Sequence, residues 1–124
     1  MYQQDWIMRQ IRSMTQAIAR IIFKKETVEY DITDKTNTEA TNWLYKELLN
    51  LIENLNINQA ENLLFEKLET HDMKYLEIAI DFYERLNELS DEQLEKGDFT
   101  REEIKIGLND VLKLFGINVS DVLI

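Results

Sequence analysis

The chain has 124 residues, enough for one domain with a single core, and its 44% hydrophobic and 31% charged residues are typical of a soluble globular protein. A net charge of −10 disfavours binding of nucleic acid through the protein body. The absence of cysteine excludes disulfides and cysteine-based metal sites. The absence of proline favours helices, and three scattered glycines form no glycine-rich phosphate-binding loop.

The first helix is predicted from about Asp5 to Lys24, with Asp5 as its N-cap or as a first-turn acid. Apolar residues recur on one face at spacings of four and three: Ile7, Ile11, Met14, Ile18 and Ile21. Residues 1–25 hold five basic residues and one acidic residue, a net charge of +4. The remaining chain holds nine basic and 23 acidic residues, a net charge of −14.

Three interpretations of this basic amphipathic helix remain open. It can pack on the acidic body of its own chain, pair with a second copy through residues 5–24, or lie on an anionic membrane. We favour packing on the protein's own core, and therefore a monomer. The polar side of the helix supplies the candidate interaction surface, which consists of Trp6, Arg9, Arg12 and Arg20.

Residues 26–37 break the helical pattern and are interpreted as a connector. Val28, Tyr30 and Ile32 alternate with acidic residues, and this period of two is typical of an extended segment. Since the sequence offers no partner strand, we expect the connector to lie on the helices.

Residues 38–124 are predicted to form an acidic helical body. A capping-box pattern, Thr36 to Glu39, predicts the start of the second helix, and Asn58 with Glu61 predicts a third helix that ends near Thr70. The apolar stripe of the second helix comprises Ala40, Leu44, Leu48, Leu51 and Leu55, widened by Trp43 and Ile52. The third helix is expected to bury Ala60, Leu63, Leu64 and Leu68.

The fourth helix, from its N-cap Asp72 to Leu89, is expected to be the most central. Its polar residues keep to one narrow stripe, which comprises Lys74, Glu77, Asp81, Glu84, Arg85 and Glu88.

Two further helices complete the body. Ser90 with Gln93 predicts a short helix with Gly97 as a left-handed cap, and Thr100 with Glu103 predicts a last helix that Gly116 ends. Gly107 within the last helix indicates the close approach of a neighbouring helix. Residues 117–124 are mostly apolar and are expected to pack back on the body.

Four segments carry a family likeness: YQQDWIMRQI, NQAENLLFEKLE, YLEIAIDFYERLNELSDEQLEKGDFTREEI and GLNDVLKLFGI. They resemble a family of short bacterial proteins classed as a domain of unknown function, and the likeness covers almost the whole chain. The resemblance implies an all-helical cytoplasmic bacterial protein and supplies no activity, cofactor or catalytic residue. The family's pattern often has a glycine after the position of Phe23, where this chain has Lys24, so the exit of the first helix is expected to differ. Residues 58–86 have a weaker likeness to a tetratricopeptide-type helix hairpin.

No residue pattern predicts catalysis, a cofactor or a metal site. His71 is the only histidine, and a zinc site needs at least three well-placed nitrogen or sulfur ligands. The many carboxylates are interpreted as a solvated face. With three serines and one histidine, a nucleophilic triad is not expected.

The sequence thus predicts a single all-α domain over residues 1–124, an array of about five long antiparallel or orthogonal helices plus one short helix. We expect a non-catalytic cytoplasmic module that binds a partner protein of unknown identity, with no cofactor, metal or nucleic acid. The alternatives are a peripheral membrane protein that uses the first helix and, third, an enzyme with an unrecognised site.

Overall fold

The computed structural model describes residues 2–118, and it describes side chains from Asp5 onward. That part of the chain consists of six helices and their connections, contains no strand and confirms the predicted all-α class. In chain order the helices are α1 (Tyr2–Ile21), α2 (Glu39–Glu53), α3 (Ile57–Lys67), α4 (Met73–Glu88), α5 (Asp91–Lys96) and α6 (Arg101–Leu114). Of the predicted apolar tail, residues 119–124 lie outside the described residues, while Ile117 packs against the core.

Helix α4 is the centre of the array, as predicted. It packs against α1, α2 and α6, and it carries more buried residues than any other described helix. Helix α3 packs chiefly on α2. The tetratricopeptide likeness of the α3–α4 segment stays unconfirmed.

The apolar stripe of α1 is buried against α4 and α6 of the same chain. Ile11 and Ile18 are fully buried, and Ile7 and Met14 are nearly so. The prediction is wrong for Ile21, which is 47% exposed. Helix α1 ends there, three residues earlier than expected, and the following Ile22 and Phe23 pack against the core instead.

Three of the six helix starts follow the predicted capping pattern, because a cap depends only on neighbouring residues. Asp72, Ser90 and Thr100 cap α4, α5 and α6. Helix α2 differs, because its capping box joins Thr38 to Thr41, whereas the predicted box joins Thr36 to Glu39.

The start of α3 also differs from the prediction. Helix α3 begins at Ile57, so Asn58 lies inside its first turn rather than at its cap. The side-chain amide of Asn58 instead donates to the carbonyl oxygen of Asp98 over 3.1 Å.

The ends of α1, α2, α5 and α6 are each followed by a residue with positive φ: Lys24 (58°), Leu55 (58°), Asp98 (53°) and Gly116 (73°). Gly116 therefore ends α6 as predicted. Gly97 does not act as a left-handed cap, since its φ is −83°. A side chain there would meet Ile57 Cδ1 at 2.6 Å, so close packing rather than backbone conformation explains this glycine. Lys24 adopts the left-handed conformation that glycine adopts at least cost.

The buried face of α2 is rotated relative to the predicted stripe. Ala40 is exposed and Trp43 is 49% exposed, whereas Tyr45 and Thr41 are buried beside Leu44. Both hydroxyls lie inside because they have hydrogen-bond partners there, which a pattern of apolar residues does not reveal.

Among the residues that the structure describes, Arg101 is the largest fully buried side chain, and no sequence pattern indicated its burial. Its guanidinium donates to the carbonyl oxygens of Asn87 (2.9 Å) and Leu89 (2.8 Å) at the end of α4 and to the carboxylate of Asp91 (2.9 Å) in α5. Arg101 thereby satisfies carbonyls that the helix end leaves free and ties α4, α5 and α6 together.

Candidate functional site

The candidate site is a cleft of about 370 Å³ between α1 and α6, which we call the α1–α6 cleft. Its described lining consists of Trp6, Arg9, Gln10, Ser13 and Met14 from α1 and Lys105 and Asn109 from α6. Trp6 is 55% exposed. The Lys105 Nζ lies 5.8 Å from the centroid of the Trp6 ring, within the range of a cation–π contact.

The charge of the α1–α6 cleft is opposite to that of the protein. The described lining contains two cations, Arg9 and Lys105, and no carboxylate, although the whole chain has a net charge of −10. Lys105 Nζ donates to Gln10 Oε1 over 2.9 Å. Neither cation has an ion-pair partner among the residues whose side chains the structure describes. Both charges are therefore available to an anionic group in the cleft.

The structure brings together only two of the four surface residues that the sequence singled out. Trp6 and Arg9 share the α1–α6 cleft, whereas Arg12 lines a separate cleft that also contains Glu84. Arg20 lies 3.8 Å from the carboxylate of Glu26. The acidic neighbours of Arg12 and Arg20 offset their charge.

Sequence reasoning missed Lys105. Its partner Gln10 is 95 residues away in the chain, and Lys105 looks like any solvated lysine of an amphipathic helix. No local pattern marks such a residue, because only the packing of α6 on α1 places its ammonium beside Trp6.

A second constellation is a buried polar network around Asp81 of α4. Asp81 is only 3% exposed, which corrects its predicted place on a solvated stripe. Its Oδ2 accepts hydrogen bonds from the backbone N–H of Tyr30 and from the Tyr45 hydroxyl, both at 2.8 Å. Its Oδ1 accepts one from Arg85 Nε at 2.6 Å, and Arg85 also donates to the Tyr45 hydroxyl at 3.0 Å. The network thus joins the connector, α2 and α4.

The network acts as an anchor for the connector. Burial and the hydrogen bond to Asp81 raise the pKa of Tyr45 to about 12, so this hydroxyl stays a donor at neutral pH. Both carboxylate oxygens of Asp81 already accept hydrogen bonds. The side chains of Val28 and Tyr30 are buried beside the network, and Lys74 pairs with Asp34 at 2.9 Å. These contacts place the connector on the helices, as expected, and the described residues contain no strand that could pair with it.

A third polar contact explains Gly107 in α6. The hydroxyl of Tyr83 donates to the carboxylate of Glu61 over 2.7 Å, and a Cβ atom at Gly107 would overlap both groups. The close approach predicted at this glycine is therefore confirmed, with side chains of α3 and α4 as the neighbours. Burial raises the pKa of Glu61.

The described residues show no arrangement suited to a metal ion or a membrane span. No group of three or more histidine, cysteine, aspartate or glutamate side chains among them is placed to hold a metal. His71 is exposed and lies 3.5 Å from Glu69. No helix in this part of the chain has the length and apolar character needed to cross a membrane.

Comparison with known proteins gives a family but no activity. No curated protein and no solved structure matches the chain significantly. A family model described as a family of unknown function (DUF6483) matches residues 1–116, which is most of the chain. The chain therefore belongs to this family of unknown function.

Proposed function

We propose that the protein is a non-catalytic interaction module that binds a partner protein through the α1–α6 cleft. One observation carries the proposal: an exposed tryptophan shares a cleft with two cations that have no ion-pair partner among the described side chains, on a protein whose net charge is −10. Tryptophan and arginine are enriched among the residues that contribute most to binding at protein interfaces. The cytoplasmic location predicted from the sequence is part of this proposal.

The cleft is built on rigid elements, which supports a binding role. Both of its walls are helices that pack on α4, and Met14 at its base is 4% exposed. A partner therefore meets a surface whose backbone is already ordered, and this lowers the entropic cost of binding.

The chemistry of the lining favours binding over catalysis. The described side chains of the cleft include one hydroxyl, that of Ser13, and neither a histidine nor a carboxylate to remove its proton. General acid–base catalysis needs such a group within hydrogen-bond reach of the reacting atom. The lining instead offers an aromatic face, two cations and neutral donors, which suit recognition.

Insertion of α1 into a membrane is less compatible with its packing. A membrane-bound amphipathic helix inserts its apolar face, and in α1 that face is buried in the core through Ile11 and Ile18. Membrane attachment would have to use the exposed arginines alone or require α1 to leave the core.

Affinity purification after cross-linking in cells of the native host tests the proposal. The full chain is compared with the double variant Trp6→Ala/Lys105→Glu. The matched control is Trp43→Ala/Lys67→Glu, since Lys67 Nζ lies 6.0 Å from the ring of the half-exposed Trp43 in a similar pair elsewhere on the surface. We expect a specific protein to be recovered with the full chain and the control but not with the cleft variant. Equal recovery with all three proteins would contradict the proposal.

A further inference from the structure

We infer that the α1–α6 cleft binds an acidic peptide segment that places one large apolar side chain against Trp6 and carboxylates against Arg9 and Lys105. The inference rests on the proposed function and adds the chemistry of the partner. It follows from the charges, the exposed ring and the size of the cleft.

The charge of the cleft indicates that the partner segment is acidic. Arg9 belongs to α1 and Lys105 to α6, so the two cations stand on opposite walls with the Trp6 ring in the same cleft. A guanidinium binds a carboxylate through two parallel hydrogen bonds, and an ammonium binds it as a point charge. A segment with acidic residues on both sides of its large apolar side chain can therefore contact both walls at once.

The exposure of Trp6 and the volume of the cleft indicate that the partner inserts one large apolar side chain. Trp6 leaves 55% of its surface in water, and an apolar side chain packed on it would remove much of that surface from solvent. A volume of about 370 Å³ is near the lower end for ligand pockets. It suits one large side chain of a peptide rather than a bulky cofactor.

A second copy of the chain fits this cleft less well. In a two-fold symmetric dimer each surface patch meets itself, so Arg9 and Lys105 of one copy would lie near the same cations of the other. Like charges brought together at an interface oppose association. The acidic residues of the described chain are also absent from the cleft lining and offer no compensation within the patch.

Tryptophan fluorescence with defined synthetic peptides tests the inference. Because the chain has two tryptophans, the Trp43→Phe background leaves Trp6 as the only tryptophan emitter. The probe is a short peptide of glutamates with one central phenylalanine. Two matched peptides carry serine in place of phenylalanine or lysines in place of the glutamates.

We expect saturable perturbation of Trp6 emission by the glutamate–phenylalanine peptide at low salt. Binding should weaken about tenfold with the serine peptide, and about tenfold in Arg9→Glu or Lys105→Glu, as expected when a close charge pair becomes repulsive. The Lys67→Glu control should bind as the background protein does. Added salt should weaken binding, because exposed charges are screened.

Four results would overturn the inference. The first two are that the lysine peptide binds as well as the acidic peptide, and that the acidic peptide does not bind. The third is that Lys105→Glu, with its fold intact by circular dichroism, binds the acidic peptide with unchanged affinity. The fourth is that sedimentation shows a dimer that Lys105→Glu dissociates. Vesicles of phosphatidylcholine and phosphatidylserine are tested in parallel. Binding to them that depends on Arg9 and Lys105, without peptide binding, would assign the cleft to a membrane surface instead.

The two experiments separate the two proposals. If cross-linking recovers a cleft-dependent partner but the acidic peptide does not bind, the chemistry of the partner is wrong and the interaction role stands. If recovery does not depend on the cleft, the interaction role itself fails.

Discussion

The burial of α1 predicts very different effects for two isoleucines three residues apart. Ile18 is fully buried between α1 and the rest of the core, while Ile21 is 47% exposed at the end of the same helix. Replacement of each by alanine removes the same three carbon atoms. The two variants therefore form a matched pair in which mainly burial differs.

The expected magnitude follows from the removed atoms and from the cavity that they leave. Burial of three carbons contributes about 2.4 kcal/mol to the free energy of unfolding, at roughly 0.8 kcal/mol each. The cavity left in Ile18→Ala adds to this, so the expected loss of free energy of unfolding is about 3–4 kcal/mol. That is a large part of the roughly 5–15 kcal/mol that stabilises a typical domain. Ile21→Ala should change the free energy of unfolding by about 0.5 kcal/mol or less, as at other exposed positions.

Thermal and urea unfolding followed by circular dichroism, with sedimentation to report the oligomeric state, measures both variants. We expect Tm to fall by about 10–20 °C in Ile18→Ala, with no change of oligomeric state, and to stay nearly constant in Ile21→Ala. If the two Tm values lie within a degree or two of each other, α1 is not part of the core. Dissociation of a wild-type dimer into stable monomers by Ile18→Ala would instead make α1 a dimer interface.

Three other substitutions test the polar contacts. Asp81→Asn should lower the free energy of unfolding by about 3 kcal/mol in urea titrations. The amide cannot accept all three hydrogen bonds of the carboxylate, and Arg85 loses its close, buried carboxylate partner and keeps only the exposed Glu29 at 4.0 Å. A loss below about 0.5 kcal/mol would contradict the role of Asp81 in holding the connector. Arg101→Met should lower the free energy of unfolding by about 2–4 kcal/mol, since it leaves buried carbonyls at the end of α4 without donors. An unchanged urea midpoint would refute this role of Arg101. Burial raises the pKa of Glu84, so the folded state binds its proton more tightly than the unfolded state and stability falls as pH rises above the ordinary value of 4.5. Glu84→Gln should therefore be more stable than wild type at neutral pH, and the difference in the free energy of unfolding should shrink toward about pH 4. A difference that does not vary with pH would show that the pKa of Glu84 is not its cause.

The sequence by itself determined the features that depend on neighbouring residues. The caps Ser90 and Thr100 bond to backbone groups three residues away, so their pattern is readable in the chain. The stripe from Ile7 to Ile18 follows the period of one helix, and the alternation at Val28 and Tyr30 follows that of an extended chain. These periods also indicate the all-α class and the apolar face of α1, whereas the packing of that face on α4 and α6 of the same chain is seen only in the tertiary structure.

Only the tertiary structure decided which polar groups meet. Asp81 and Arg101 are buried because donors or acceptors from other elements surround them, and nothing in their own helices distinguishes them from solvated residues. The same holds for the candidate site, where Lys105 reaches Trp6 across the contact between α1 and α6. A hydrophobic period specifies which face of a helix is buried, but the position and angle at which two helices pack decide which side chains come together. The charge and chemistry of the α1–α6 cleft therefore arise from packing between residues at opposite ends of the chain.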